Sequence, residues 1–176
     1  SEAYQALSEL KRTHTSQKDF VLSQVVLLKK VDGEIITKDS FNTGSQTSDD
    51  TLLGGLIGGA LGLLGGPIGI LLGMGIGAGF GSLLDMNDAK EEDGMLYTVS
   101  TRMKDGDIAL IAVIQEESET SYNEIINQFD TVIVRYRASV IQEELDHARK
   151  IQKELEHEAK ARMKEQRSKE RREKID

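Results

Sequence analysis

From Leu52 to Leu84 the chain runs for 33 residues without a charged side chain, and 13 of them are glycine. Interior glycine costs a helix about 1 kcal/mol relative to alanine, so the run carries on the order of 13 kcal/mol against helix formation on its own. Close contact with a partner must offset that. The spacing says which contact: Gly54, Gly58, Gly62 and Gly66 stand four apart, Gly55 and Gly59 flank them, and Gly65, Gly69, Gly73, Gly77 and Gly81 repeat the pattern. A four-residue spacing lines one face of a helix, where missing side chains let another backbone approach. Gly65-Gly66-Pro67 interrupts the run, because proline lacks the amide donor and disfavours helix in the residue before it. The result is a glycine-zipper helical hairpin with arms Thr51–Leu64 and Ile68–Leu84, roughly 21 and 26 Å long.

Either arm is short for a hydrocarbon core of about 30 Å, whereas an unbroken helix of about 50 Å would be too long. Asp49, Asp50, Asp85 and Asp88 close the ends, and the aromatic anchors of a spanning segment are absent. Three environments stay open: a hairpin inserted in or re-entering a membrane, a hairpin buried within a soluble homo-oligomer, and a strand in which Gly73, Gly75, Gly77, Gly79 and Gly81 bare one face at period two. Gly73, Gly75 and Ala78 imitate part of a dinucleotide fingerprint, but no strand precedes them and no phosphate-loop lysine follows.

The rest of the chain is polar. Ser1–Ile141 carries 11 bases and 20 acids, while Gln142–Asp176 carries 11 bases and 10 acids. The acidic body repels nucleic acid and anionic lipid, so nucleic acid is not an expected partner, and only the basic end from Arg162 to Lys174 could touch a polyanion. With no cysteine, a disulfide scaffold and a thiolate metal site are excluded. The opening SEAYQALSELKR is amphipathic and has no apolar core preceded by a basic residue, unlike a signal peptide. A cytoplasmic or inner-membrane-associated place in a bacterium is expected.

Periodicity predicts a helix over Ala3–Leu10, strands over Asp19–Lys30 and Glu34–Lys38 joined by an Asp-Gly turn, and a polar loop over Asp39–Thr51. It predicts a helix within Asn87–Met103, a strand over Ile108–Gln115, a helix over Ser118–Phe129, a strand over Thr131–Tyr136, and a helix from Ala138 to the end. Strand, helix and strand across Ile108–Tyr136 read as a βαβ unit with parallel strands. The expected fold is α+β, a ferredoxin-like small sheet with a glycine-zipper hairpin and a long C-terminal helix. Its parts are residues 1–50 (first half of the body), 51–85 (hairpin), 86–137 (second half) and 138–176 (charged helix). That arrangement calls for a strand before the first helix.

In the last helix Ile141, Leu145, Ala148, Gln152, Leu155 and Ala159 form a 4-3 seam like that of a coiled coil. Five acid–base pairs four apart support it as an exposed helix: Asp146–Lys150, Glu156–Lys160, Glu158–Arg162, Glu165–Lys169 and Glu170–Lys174. Glu144/His147 and Glu154/His157 have the Glu-x-x-His spacing of di-iron bundles, yet they sit among Lys and Arg and need matching ligands from other helices. No nucleophile elbow occurs, His14 is isolated, and Glu116/Glu117 read as solvated strand-end charges. Neither catalytic residues, a metal nor a cofactor is expected. The residues expected to pack between subunits are Gly54, Gly58, Gly62, Gly69, Gly73, Gly77, Gly81, Leu145 and Leu155.

The order of features resembles a bacterial family known as domain of unknown function twelve-sixty-nine, described as predicted membrane proteins and akin to glycine-zipper stress proteins. The likeness rests on EAYQALSELK, VVLLKKVDGEI, the hairpin broken at GGPIG and closed by Asp85, and the Asp105-Gly106-Asp107 turn in MKDGDIALIAVIQE. It spans roughly Ser1–Arg149. The resemblance implies a strand ahead of the first helix and brings no catalytic residues. The expected function is therefore non-enzymatic self-assembly through the hairpin and the C-terminal helix, with the protein itself as partner. A membrane-inserted or membrane-associated protein anchored by the hairpin, with lipid as partner, is the alternative.

Overall fold

The structure, a computed structural model, describes residues 1–44, 50–74 and 94–174. Helix α1 (Glu2–Thr13) leads through a short 3₁₀ turn into strand β1 (Phe20–Val31), which turns back as β2 (Glu34–Asn42). Helices α2 (Asp50–Leu64), α3 (Pro67–Gly73) and α4 (Met95–Arg102) follow, then strand β3 (Ile108–Glu116), helix α5 (Thr120–Ile126) and the 36-residue helix α6 (Ala138–Glu173). The sheet has the order β2-β1-β3 and both pairings are antiparallel. The α+β class and the long C-terminal helix stand.

Two cores lie on the two faces of this sheet. Val26, Leu28, Ala109, Ile111 and Val113 point towards α2, α3, α4 and α6. Phe20, Leu22, Val25, Leu27, Ile108, Leu110, Ala112 and Ile114 point towards α1 and α5. In β3 the alternation is strict, as the period of a strand requires. In β1 it changes parity, and a register shift between Leu22 and Gln24 accounts for that. An extra residue in one strand moves every later side chain to the other face. Without it Val25 and Leu27 could not share a core with Phe20 and Leu22.

The Asp-Gly turn forms as its sequence demands, with Asp32 at φ 51° and Gly33 at φ 81°; both central residues of a type I′ turn need positive φ. A second turn locks onto it. Asp105 accepts from the Gly33 amide at 2.8 Å, the Gly106 amide donates to the Lys30 carbonyl at 2.8 Å, and the Lys30 amide donates to the Asp107 carbonyl at 3.1 Å. Gly106 has φ 91°, a conformation side chains resist. The Asp105-Gly106-Asp107 turn thus ties the hairpin end to the start of β3.

Three expectations change. β2 runs on to Asn42, through residues read as loop. Thr131–Tyr136 joins no ladder, so the expected parallel βαβ pairing is absent among the described residues. The glycine run is helical in α2 and α3, but the axes bend by only 57° at Gly65-Gly66, an elbow where an antiparallel hairpin would need a reversal. The expected second arm beyond Met74, including Gly77 and Gly81, lies outside the described residues, as does the helix start at Asn87. No single helix among the described residues is long and apolar enough to cross a membrane; the bent pair Gly55–Leu64 and Pro67–Gly73 passes by length and composition only.

Candidate functional site

The two faces of α2 differ. Ile57, Ala60, Leu63 and Leu64 are buried against the body. Gly55, Gly58 and Gly62 are exposed, and a methyl group built on any of them would meet nothing within 4 Å. Spacings of three and four place these glycines on one helix face. The outer side of α2 is therefore a strip of bare backbone.

The other glycines serve the chain itself. A side chain on Gly59 would meet Arg149 and lie 3.4 Å from Leu145 of α6. One on Gly69 would collide with the Leu64 backbone, so Gly69 is what allows the elbow. One on Gly73 would lie 3.2 Å from the Lys30 ammonium and 3.3 Å from the Ser100 carbonyl. Of the residues expected to pack between subunits, Gly58 and Gly62 lie on the bare strip, whereas Gly69 and Gly73 make close contacts within the chain. Gly54 lies in α2, but its surroundings are outside the described residues. Leu145 needs correction: it is 0% exposed and packs in the core between α6 and α2, unavailable to another subunit. Leu155 is half-buried at the margin of that core. The first half of the 4-3 seam is thus intramolecular, because α2 covers it.

Two buried charges hold the helical layer together. Glu144, 5% exposed, accepts from the Met95 amide at 3.0 Å and the Leu96 amide at 2.8 Å. It caps α4, whose preceding residue is Gly94 and has no side-chain cap of its own. Burial pushes its carboxyl up from the ordinary value, against the two amides that pull it down. Lys30 donates to the Ser100 carbonyl at 2.9 Å, in the last turn of α4, with the end of α3 beside it at Gly73. Helix C-termini carry partial negative charge and suit a buried ammonium.

With Glu144 engaged as a cap, the Glu144/His147 pair does not form a ligand set. Among the described residues no group of three or more His, Cys, Asp or Glu is placed to hold a metal ion. His14 donates from Nδ1 to the Leu10 carbonyl, 2.9 Å away.

The second feature lies along the outer edge of β3. A groove of about 750 Å³ separates it from Thr131–Arg137. Its walls are Ala3 and Ala6 of α1 with Phe129 on one side, and Ile57, Val99 and Ile141 on the other. β3 reads IALIAVIQ, the near-continuous apolar run of a strand covered on both faces. Even so, its residues Ile108–Ile114 are only half-buried, whereas Val25–Leu28 of β1 are fully buried. The difference is the open edge. Across the groove Val132 is 84% and Val134 51% exposed, while Ile133 packs in the core with α1 and Tyr136 in the one with α6.

One end of the groove is bridged. Arg135 donates to both Glu116 oxygens, at 2.8 and 2.9 Å, and to Asn123 at 2.8 Å. The Glu116 carboxylate strengthens the hold of Arg135 on its proton. Tyr122 lies under the guanidinium, 5.8 Å from ring centre to Arg135 Cζ, and burial pushes its hydroxyl up to about 12. Glu116 is thus an ion-pair partner, in place of the solvated strand-end charge read from the sequence. The other end is held where the Asp130 amide donates to Glu2 at 2.9 Å.

Sequence reasoning missed the capping role of Glu144, the burial of Lys30 and the groove. Comparison with protein-family models, curated proteins and solved structures returns no match.

Proposed function

We propose that the protein is a non-enzymatic, self-assembling structural component of the glycine-zipper stress type, and that copies associate through the bare face of α2. The observation that carries this reading is the exposed strip Gly55, Gly58 and Gly62, open to 4 Å. Each interior glycine weakens a helix by about 1 kcal/mol. A close backbone contact along the strip offsets that loss, as small-residue interfaces do elsewhere. The outer half of α6, from Leu155 on, supplies the second contact. Kinship with the twelve-sixty-nine family, a ferredoxin-like plan for the body, and a cytoplasmic or membrane-associated place in a bacterium belong to the same proposal.

Membrane anchoring receives less support. Ile57, Leu63 and Leu64 of α2 are spent on the body, and the described outward side carries Gly55, Gly58 and Gly62, which gain little from lipid. Light scattering coupled to size exclusion, in detergent-free buffer, decides. The parent chain is expected to elute as a defined oligomer, and Gly58→Leu with Gly62→Leu as a folded monomer. A monodisperse parent monomer would sink the proposal, and pelleting with membranes that survives carbonate washing would favour the anchor.

A further inference from the structure

We propose that the free half of α6 binds double-stranded nucleic acid along its phosphates, without reading sequence, through one row of five bases: Lys160, Lys164, Arg167, Arg171 and Lys174. The proposal is independent of how the glycine strip is covered.

The five residues stand 4-3-4-3 apart, and at about 100° per residue they fall within an arc of about 80°. Glu158, Glu165, Glu170 and Glu173 lie outside that arc. All five bases are exposed, and among the described residues none of them makes an ion pair. Bases off the row differ: Arg162 is paired with Glu158 and Lys169 with Glu165. The acids of this half are spent on the other side of the helix, and the row keeps its charge.

The row also points away from the body. Ile141, Leu145, Ala148 and Ile151 mark the buried face of α6, and the row is centred roughly 120° round the helix from it. The seam continued by Leu155 and Ala159 lies on the buried side, so an assembly that covers it leaves the row outward. From Ile151, the last buried residue of α6, Lys164 stands roughly 20 Å and Arg171 roughly 30 Å along the axis. Charges are screened over about 8 Å in physiological salt. Lys160–Lys174 carries eight bases and three acids, and the rest of the chain 14 bases and 27 acids. That acidic remainder lies too far away to cancel most of the row.

The chemistry of the row selects the partner. It is roughly 21 Å long, and each strand of a duplex presents one phosphate about every 3.4 Å, so the row faces about six phosphates. A lipid surface suits it less. Basic membrane helices combine their charge with a broad apolar face, and from Glu156 to Lys174 the only large apolar side chain is Met163. A flat anionic surface would also meet the acidic body, whereas a duplex can cross the free end alone. The same stretch has no Phe, Tyr or Trp, so the unpaired bases of a single strand find nothing to stack on.

Fluorescence anisotropy of the full chain with a labelled DNA duplex of about 30 base pairs tests this. Two triple variants carry the same net charge. Lys164→Gln, Arg167→Gln and Arg171→Gln break the row, while Arg162→Gln, Lys169→Gln and Arg172→Gln remove bases beside it. For the parent, log Kd is expected to rise with log salt at a slope of about 4.5, about 0.9 for each of five phosphates. The row variant should lose about 2.7 of that slope and at least about thirtyfold in affinity at about 0.1 M salt, and the other variant less than about threefold. Circular dichroism and melting temperature, expected to match in the two variants, show that the loss is not unfolding. Equal losses in both variants would reduce the effect to net charge and overturn the proposal, as would a parent that does not bind. Tighter binding to phosphatidylserine vesicles than to the duplex would assign the row to lipid. A row variant that no longer assembles yet binds the duplex like the parent would assign it to a second copy. Either result rejects the proposal.

Discussion

At the scale of single residues, one motif has opposite meanings at two positions. Gly62 and Gly69 belong to two series with the same four-residue spacing, yet one faces open space and the other lies against the Leu64 backbone. Gly62→Ala is expected to raise the stability of the isolated subunit by about 1 kcal/mol through helix propensity. Gly69→Ala is expected to lower it by about 1–3 kcal/mol, because overpacking forces the elbow apart. Urea unfolding of both variants checks this, and like signs would refute the assignment. Glu144 is as decisive. Removing it in Glu144→Ala orphans two buried amides, a loss on the order of 3 kcal/mol.

Its titration has a definite sign. Burial raises the Glu144 pKa in the fold above the ordinary 4.5, so the contribution of this group is fully present below the unfolded-state pKa and declines as pH rises through the folded one. Glu144→Gln keeps an acceptor and removes the titration. The stability difference between variant and parent should therefore move in the variant's favour as pH rises above 4.5, measured by denaturant unfolding across a pH series. A flat difference would show that the carboxyl does not titrate on folding.

At the scale of elements, α6 is two helices in one. Ile141, Leu145, Ala148 and Ile151 pack into the core, and every residue from Glu156 to Lys174 is exposed. The exposed part extends for roughly 28 Å at 1.5 Å per residue. It is sustained by pairs such as Glu158–Arg162 at 4.0 Å and Glu165–Lys169 at 2.8 Å, each worth a few tenths of a kcal/mol. Deleting Glu158–Asp176 is expected to leave the melting temperature of the monomeric Gly58→Leu, Gly62→Leu variant unchanged within about 2 °C, while weakening assembly of the parent. Calorimetry and light scattering separate the two effects. The pattern of α6 was legible, since the charge pairs and the seam are written in its spacing. What covers the seam was not, because a 4-3 repeat suits α2 as well as a second copy.

At the scale of the whole molecule, the sheet is the organising layer, and of its two edge strands, β2 and β3, β3 is the apolar one. The apolar runs of β1 and β3 were legible as strands, and a core lies on each of their two faces. TVIVRY has the composition of a strand, but strand composition only states that a segment fits a pleated surface. Pairing needs a neighbour at about 4.8 Å, and the groove stands where that neighbour would be.

Local chemistry written in the chain settled the turns, the break at Gly65-Gly66-Pro67 and the polar end of α6. Each depends on residues within a few positions of one another: Asp32-Gly33 demands positive φ, and Pro67 breaks a helix wherever it lies. The tertiary structure alone decided which glycines face outward, that Leu145 belongs to the subunit's own core, that Glu144 caps a helix some fifty residues away, and that β3 keeps an open edge. Those outcomes depend on which surfaces meet, and spacing along a chain specifies a face without specifying what covers it.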